Sequence, residues 1–159
     1  MRRPTTRIAA AIVACLVLAG CSQGEEPAPT PAGPNGFSLA AEMADGHLLW
    51  RDRGEESGLT DLVLADADGI AIHSCLGKAP LYCWDEGTAP TMMLVIAPPE
   101  AESAVLHWYG QDFALTRGSA GPAEDDPQVF ALLMPEYETN DQGWRLDVLD
   151  AAGEVVMSS

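Results

Sequence analysis

Basic residues are scarce in this chain. Eight Lys and Arg stand against 24 Asp and Glu, and Lys78 is the only lysine. Nucleic acid and anionic lipid are held by clustered Lys and Arg, so a formal net charge of −16 argues against both as ligands. Long apolar runs are missing too: Ile8 to Gly20 gives thirteen apolar or small residues, short of the roughly 20 that a helix needs to cross a bilayer. The spellings of common catalytic sites are also absent. His47 is followed by Leu-Leu-Trp-Arg and His107 by Trp-Tyr-Gly-Gln, so neither opens an H-E-x-x-H zinc motif, and there is no Walker A loop. Arg117-Gly118-Ser119-Ala120-Gly121 is one residue away from a G-x-S-x-G elbow and lies in a stretch of loop composition. Asp66-Ala67-Asp68-Gly69 fails as an EF-hand, because alignment on Gly69 puts Leu64 at the first ligand position and Cys75 at the last. These absences lead to the expectation of no catalytic residues, no metal site and no cofactor.

What is present begins at the N-terminus. Arg2, Arg3 and Arg7 precede the short apolar run, which is the plan of a secretory signal. The run ends in Leu18-Ala19-Gly20-Cys21, where small residues lead directly into a cysteine. This arrangement resembles the lipobox of bacterial lipoprotein precursors. The resemblance implies cleavage before Cys21 and diacylglyceryl attachment to its thiol, often with a further acyl chain on the new amine. Two or more acyl chains give a stable anchor where one gives marginal binding. Residues 1–20 are then a signal peptide, and the protein is expected at the cell membrane, lipid-anchored on its extracytoplasmic face through acylated Cys21. Past Gly20, five basic residues (Arg51, Arg53, Lys78, Arg117, Arg145) remain against the same 24 acids, a net charge of −19.

Ser22 to Gly36 reads SQGEEPAPTPAGPNG, with no large apolar residue to bury. Residues 21–36 are therefore expected to be a lipidated cysteine followed by a disordered Pro/Gly-rich tether. From Phe37 onward, short apolar runs alternate with turn residues, the pattern of an all-β domain over residues 37–159. His47–Arg51, Leu62–Ala65, Ile70–Ser74, Thr91–Ala97, Ala104–Tyr109, Asp112–Thr116, Gln128–Met134, Trp144–Asp150 and Val155–Met157 read as nine strands. Thr91–Ala97 and Gln128–Met134 are apolar on both faces, as in covered central strands. Asp68-Gly69 reads as a two-residue hairpin turn. LADADGIAIHS and VLDAAGEVVMSS look alike, one turn solution used twice. The fold class expected is an antiparallel β-sandwich. The half from Thr91 onward (MMLVIAPPEAESAVLHWYG…FALLMPE…WRLDVLDAAGEVV) resembles, in texture, the immunoglobulin-like domains of bacterial surfaces.

Two cysteines, Cys75 and Cys83, remain as an even pair once Cys15 and Cys21 are set aside. In an oxidising compartment they are expected to form a disulfide, with free thiols as metal ligands the rival. Eight positions apart, they look too close to join two sheets. The loop between them, Cys-Leu-Gly-Lys-Ala-Pro-Leu-Tyr-Cys, is similar in outline to the reactive loops of small serine-protease inhibitors. Its Lys falls one place late, and the rigidifying Thr and second Pro are missing, which favours a structural staple. Lys78, Tyr82 and Trp84 are the candidate partner contacts. Strand parity sets His47, His73 and His107 opposite the larger apolar residues, pointing outward; sharing one face with carboxylates, they would make a metal site. The functional expectation is a non-catalytic binding module of the cell envelope with a protein partner and no nucleic acid. The alternative is a carrier of a small ligand or metal cation that delivers to a membrane partner. An exposed aromatic patch near Tyr82 and Trp84 would favour the module, and clustered histidines or an apolar pocket the carrier.

Overall fold

The computed structural model describes residues 33–52, 58–85, 91–121, 123–134 and 143–159. The expected signal peptide, Cys21 and the tether as far as residue 32 lie outside these. Twelve strands are described: β1 (Phe37–Glu42), β2 (Leu48–Asp52), β3 (Thr60–Ala65), β4 (Ala71–Gly77), β5 (Leu81–Asp85), β6 (Thr91–Ala97), β7 (Ser103–Trp108), β8 (Gln111–Ala114), β9 (Thr116–Arg117), β10 (Gln128–Met134), β11 (Trp144–Leu149) and β12 (Val155–Ser158). No helix occurs among the described residues. Three antiparallel sheets result: β1-β2-β3-β4 (sheet A), β5-β6-β10-β9 (sheet B) and β12-β11-β7-β8 (sheet C).

The absence of a polar face on β6 and β10 decides how the sheets stack. Every residue of β6 is buried. Along it, Met92, Leu94 and Ile96 join Val129 and Ala131 of β10 in a core with Leu49, Leu62, Leu64 and Cys75 of sheet A. The alternate residues Met93, Val95 and Ala97 join Phe130, Leu132 and Met134 in a second core with Ala104, Leu106, Trp108, Leu146 and Val148 of sheet C. Sheet B is thus the filling of a three-layer β-sandwich, and its central strands must be apolar on both sides. Side chains alternate faces with a period of two, so one run can serve two cores.

Sheets A and B are also tied by polar bonds. The Ser119 N–H donates to the Ala40 carbonyl (2.7 Å), and buried Arg51 donates to the Pro127 carbonyl (3.0 Å). On the outer face of sheet A, Leu48, Trp50 and Ala65 form a small third cluster. Gly33 lies against the Trp50 ring so closely that a Cβ there would come within 2.3 Å of it.

One turn frame recurs. At 66–70 and 150–154 the first Asp N–H donates to the carbonyl four residues on, the glycine N–H returns to the first carbonyl, and the Asp carboxylate accepts two backbone N–H groups. The expected likeness of these two segments is therefore physical. The loop has three residues, not two. Gly69 at φ 83° takes the left-handed position that closes the bulge, so the two-residue assignment was short by one. Met43–His47 repeats the backbone frame, with Asp45 capping the His47 N–H.

Candidate functional site

The disulfide comes first, because it changes what the candidate loop is. Cys75 and Cys83 are bonded, with 5.6 Å between their Cα atoms. Cys75 belongs to β4 of sheet A and Cys83 to β5 of sheet B. The bridge therefore joins two sheets, contrary to the expectation from spacing. Only Lys78, Ala79 and Pro80 separate the two strands, with a cis peptide before Pro80. A chain that folds straight back can cross from one layer to the next within nine residues.

Most of the supposed loop is strand, and that splits the candidate trio. Lys78 is exposed at the bend. Tyr82 and Trp84 share one face of β5, opposite Leu81 and Cys83, which pack toward sheet A. That face looks to sheet C. Trp84 stacks on Trp108 (ring centroids 4.9 Å) and lies parallel to Trp144 (5.9 Å, 4° between planes). Tyr82 meets Trp144 edge-on at 5.9 Å, and Tyr109 meets Trp108 edge-on at 4.9 Å. Such pairs add about 0.5–1.5 kcal/mol each beyond the area they bury. The cluster grades from core to surface: Trp108 is 1% exposed, Tyr82 36% and Trp144 38%.

Beside Trp144, on the outer face of sheet C, is a groove of about 340 Å³ lined by His107, Gly110, Asp112, Gly143, Trp144 and Arg145. Its geometry follows from the β7–β8 hairpin. Tyr109 (φ 48°) and Gly110 (φ 86°) both adopt left-handed backbone, the requirement of a tight turn that matches strand twist. The turn puts Asp112 directly opposite His107. For tyrosine this conformation costs about 1–2 kcal/mol. It is held by the edge contact with Trp108 and by a bond from the Tyr109 N–H to the Gly143 carbonyl (2.8 Å), which joins the turn to the start of β11.

Both ring nitrogens of His107 face carboxylates: Nδ1 lies 2.7 Å from Asp112 and Nε2 3.2 Å from Asp147. Arg145 pairs with the same Asp147 oxygen at 2.7 Å. The Asp147 side chain is 12% exposed and that of Asp112 70%. The order across the face is thus Arg145, Asp147, His107, Asp112, with Asp147 sheltered and both ends of the row exposed. Contacts at both nitrogens fix the orientation of the imidazole between β8 and β11.

The three histidines do not gather at one site: His47 and His73 belong to the sheet A side and His107 to sheet C. His47 precedes β2 beside Asp45; burial opposes ionisation of that carboxyl, but the His47 backbone and ring together outweigh it and hold the carboxyl below its usual range. His73 departs from the outward expectation. A register shift opposite Leu64/Ala65 resets its parity, so it pairs with Leu64 and shares the core-facing side of Cys75. His107 alone stands on sheet C. Among the described residues no three His, Cys, Asp or Glu side chains are placed to hold a metal ion.

Sequence reasoning singled out Tyr82 and Trp84 and did not group Trp144, His107, Asp112, Asp147 and Arg145. One signal was legible: in a two-residue hairpin, positions five apart around the turn face each other, which pairs residues 107 and 112. No protein-family model, curated protein or solved structure matches this chain.

Proposed function

We propose that the chain is a lipid-anchored extracytoplasmic lipoprotein, held by acylated Cys21, whose β-sandwich binds a protein partner of the envelope without turning anything over. The observation that carries the binding reading is the aromatic group of Tyr82, Trp84 and Trp144 where sheets B and C meet, in which Tyr82 and Trp144 remain 36% and 38% exposed. Solvent-facing tryptophan and tyrosine with a core-anchored underside are the kind of group that dominates contact energy at interfaces. Lys78 is a separate contact point at the β4–β5 bend. The carrier alternative draws no support from the histidines: His47 and His73 belong to the sheet A side and His107 to sheet C, and no metal-holding group forms among the described residues. The non-catalytic reading rests on the sequence, in which no set of nucleophile, base and orienting group is spelled out.

Two measurements test this. Metabolic labelling with palmitate should mark the wild type and leave Cys21→Ser unlabelled; equal labelling would remove the anchor from the proposal. A photoreactive residue at Tyr82 or Trp144 should capture one partner in cells, while the same residue at Glu154, in the β11–β12 turn, should not. No captured species at 82, 144 or 78 would overturn the binding reading.

A further inference from the structure

We infer that residues 27–32 of this chain, Pro-Ala-Pro-Thr-Pro-Ala, dock in extended form on the outer face of sheet A, with one backbone carbonyl accepting the Trp50 indole N–H. The Pro-rich stretch is then a seated strap, and the free tether is shorter than its composition suggests.

The face itself is the first argument. Leu39 of β1, Trp50 of β2 and Val63 of β3 pair in one row across three strands, and Leu48 pairs with Ala65 beside them. With Phe37 they make an apolar cluster on the outer side of the sandwich. A sheet face left to water carries polar residues there, so this one calls for a cover. Gly33 is the described start of that cover. Lacking a side chain, it lies directly on the Trp50 ring, where a Cβ would come within 2.3 Å. The direction of the chain is the second argument. The Phe37 N–H donates to the Pro34 carbonyl (3.0 Å) and Gly36 takes φ 87°, which closes a turn in front of β1. The turn folds the preceding chain back, and Gly33 is already past the edge strand, on a residue of β2. Six further residues in extended form span about 19 Å at roughly 3.1 Å each. That is four strand spacings of about 4.8 Å, enough to cross a cluster three strands wide.

The third argument is a donor. Trp50 is 6% exposed, and its buried Nε1 has no acceptor among the described residues. A buried N–H left unpaired is costly and rare. Residues 27–32 supply what it lacks. Three of the six are proline and none is charged, so the segment is rich in carbonyls, poor in donors and cheap to desolvate. In polyproline form its carbonyls are unpaired and point outward, and such segments lie on aromatic surfaces at low entropic cost. Other occupants fit less well. A second copy would bring the same net charge of −19 against this one, and any partner would meet Gly33 already on the ring. For the anchored protein, a consequence that rests on the lipid reading above, only Ser22 to Glu26 stay free between Cys21 and the domain. Their reach is about 16 Å, which keeps sheet A close to the bilayer.

The test reads the Trp50 indole proton by NMR in the full-length protein, purified in neutral detergent. Nuclear Overhauser contacts are expected from the Trp50 ring to protons of Pro27, Pro29 or Pro31. In a mixture of isotope-labelled and unlabelled protein they should stay within one chain. Replacing the three prolines together by glycine gives the undocked segment more freedom. That variant should raise the exchange rate of the Trp50 indole proton about tenfold, the factor one hydrogen bond is worth, and leave the amide shifts of sheets B and C in place. Unchanged indole exchange in the proline variant would overturn the inference. So would motional averaging throughout residues 22–32 of the wild type, or ring contacts that come from a second copy or a copurified protein. None of these readouts depends on lipid at Cys21, so a failed palmitate label and a failed docking are told apart.

Discussion

Truncating two adjacent residues of β6 is the sharpest test of the three-layer arrangement. Met93 and Leu94 are neighbours in sequence, both fully buried, and belong to different cores. In a two-layer sandwich one of them would face solvent or a thin cover, and its replacement by alanine would cost little. Here each should cost what an enclosed aliphatic side chain costs, about 2–5 kcal/mol for Leu or Met to Ala. Their partners do not overlap: Leu94 packs with Leu62 and Leu64 of sheet A, and Met93 with Leu106 and Leu146 of sheet C. The double variant should therefore lose roughly the sum, any departure reporting coupling through the β6 backbone the two residues share. A domain of this size has roughly 5–15 kcal/mol of stability in total, so the double variant approaches the unfolding limit while each single variant stays folded. Urea unfolding followed by tryptophan fluorescence and by far-ultraviolet circular dichroism measures all four proteins, and coincident transitions establish the two-state comparison. A loss below about 1 kcal/mol in either single variant, the range of ordinary surface changes, would refute the second covering layer.

Two further outcomes are expected. Replacing Cys75 and Cys83 together by serine should lower stability by about 2.5 kcal/mol, the loop-closure entropy of a nine-residue ring; thiol titration of the denatured, unreduced protein should find no free sulfhydryl from this pair, and two reactive thiols would contradict the bridge. Asp61→Asn should stabilise the protein at neutral pH. Burial, with the Asp52 carboxylate beside it, raises the Asp61 carboxyl above its usual value, so the folded state holds that proton more tightly than the unfolded chain does. The penalty is present above the folded-state value and gone below the unfolded one, near about pH 3.9. The gain should stay under about 1 kcal/mol at pH 7 and vanish in acid; a gain that persists at about pH 3, where both states are protonated, would reject the electrostatic cause.

Much of the fold was legible because burial on two sides leaves a plain trace. TMMLVIA and QVFALLM have no polar face, and they became the middle layer. Trp144, Leu146 and Val148 turned inward as their alternation required, with Arg145 outward. Three strands were not legible, for separate reasons. β5 lay hidden in a stretch that two cysteines and a proline make look like a loop. β1 (FSLAAE) has weak alternation and is fixed by its pairing with β2. β9 is two residues long. The third copy of the turn frame escaped notice because Asp45 caps it from the third position instead of the first. The candidate site was less legible still. His107 and Asp147 are 40 residues apart and meet only because β7 and β11 pair in one register; no spacing in the chain encodes that meeting.

The contact between Gly33 and Trp50 gives the domain a front and a back. The chain comes onto the outer face of sheet A there, and the groove opens on the outer face of sheet C. Two inter-sheet gaps of about 10 Å separate those faces. A support that grips the protein by its N-terminal segment, whether a bead, a sensor chip or a bilayer, holds it by the back, and the Trp144 groove looks into solution.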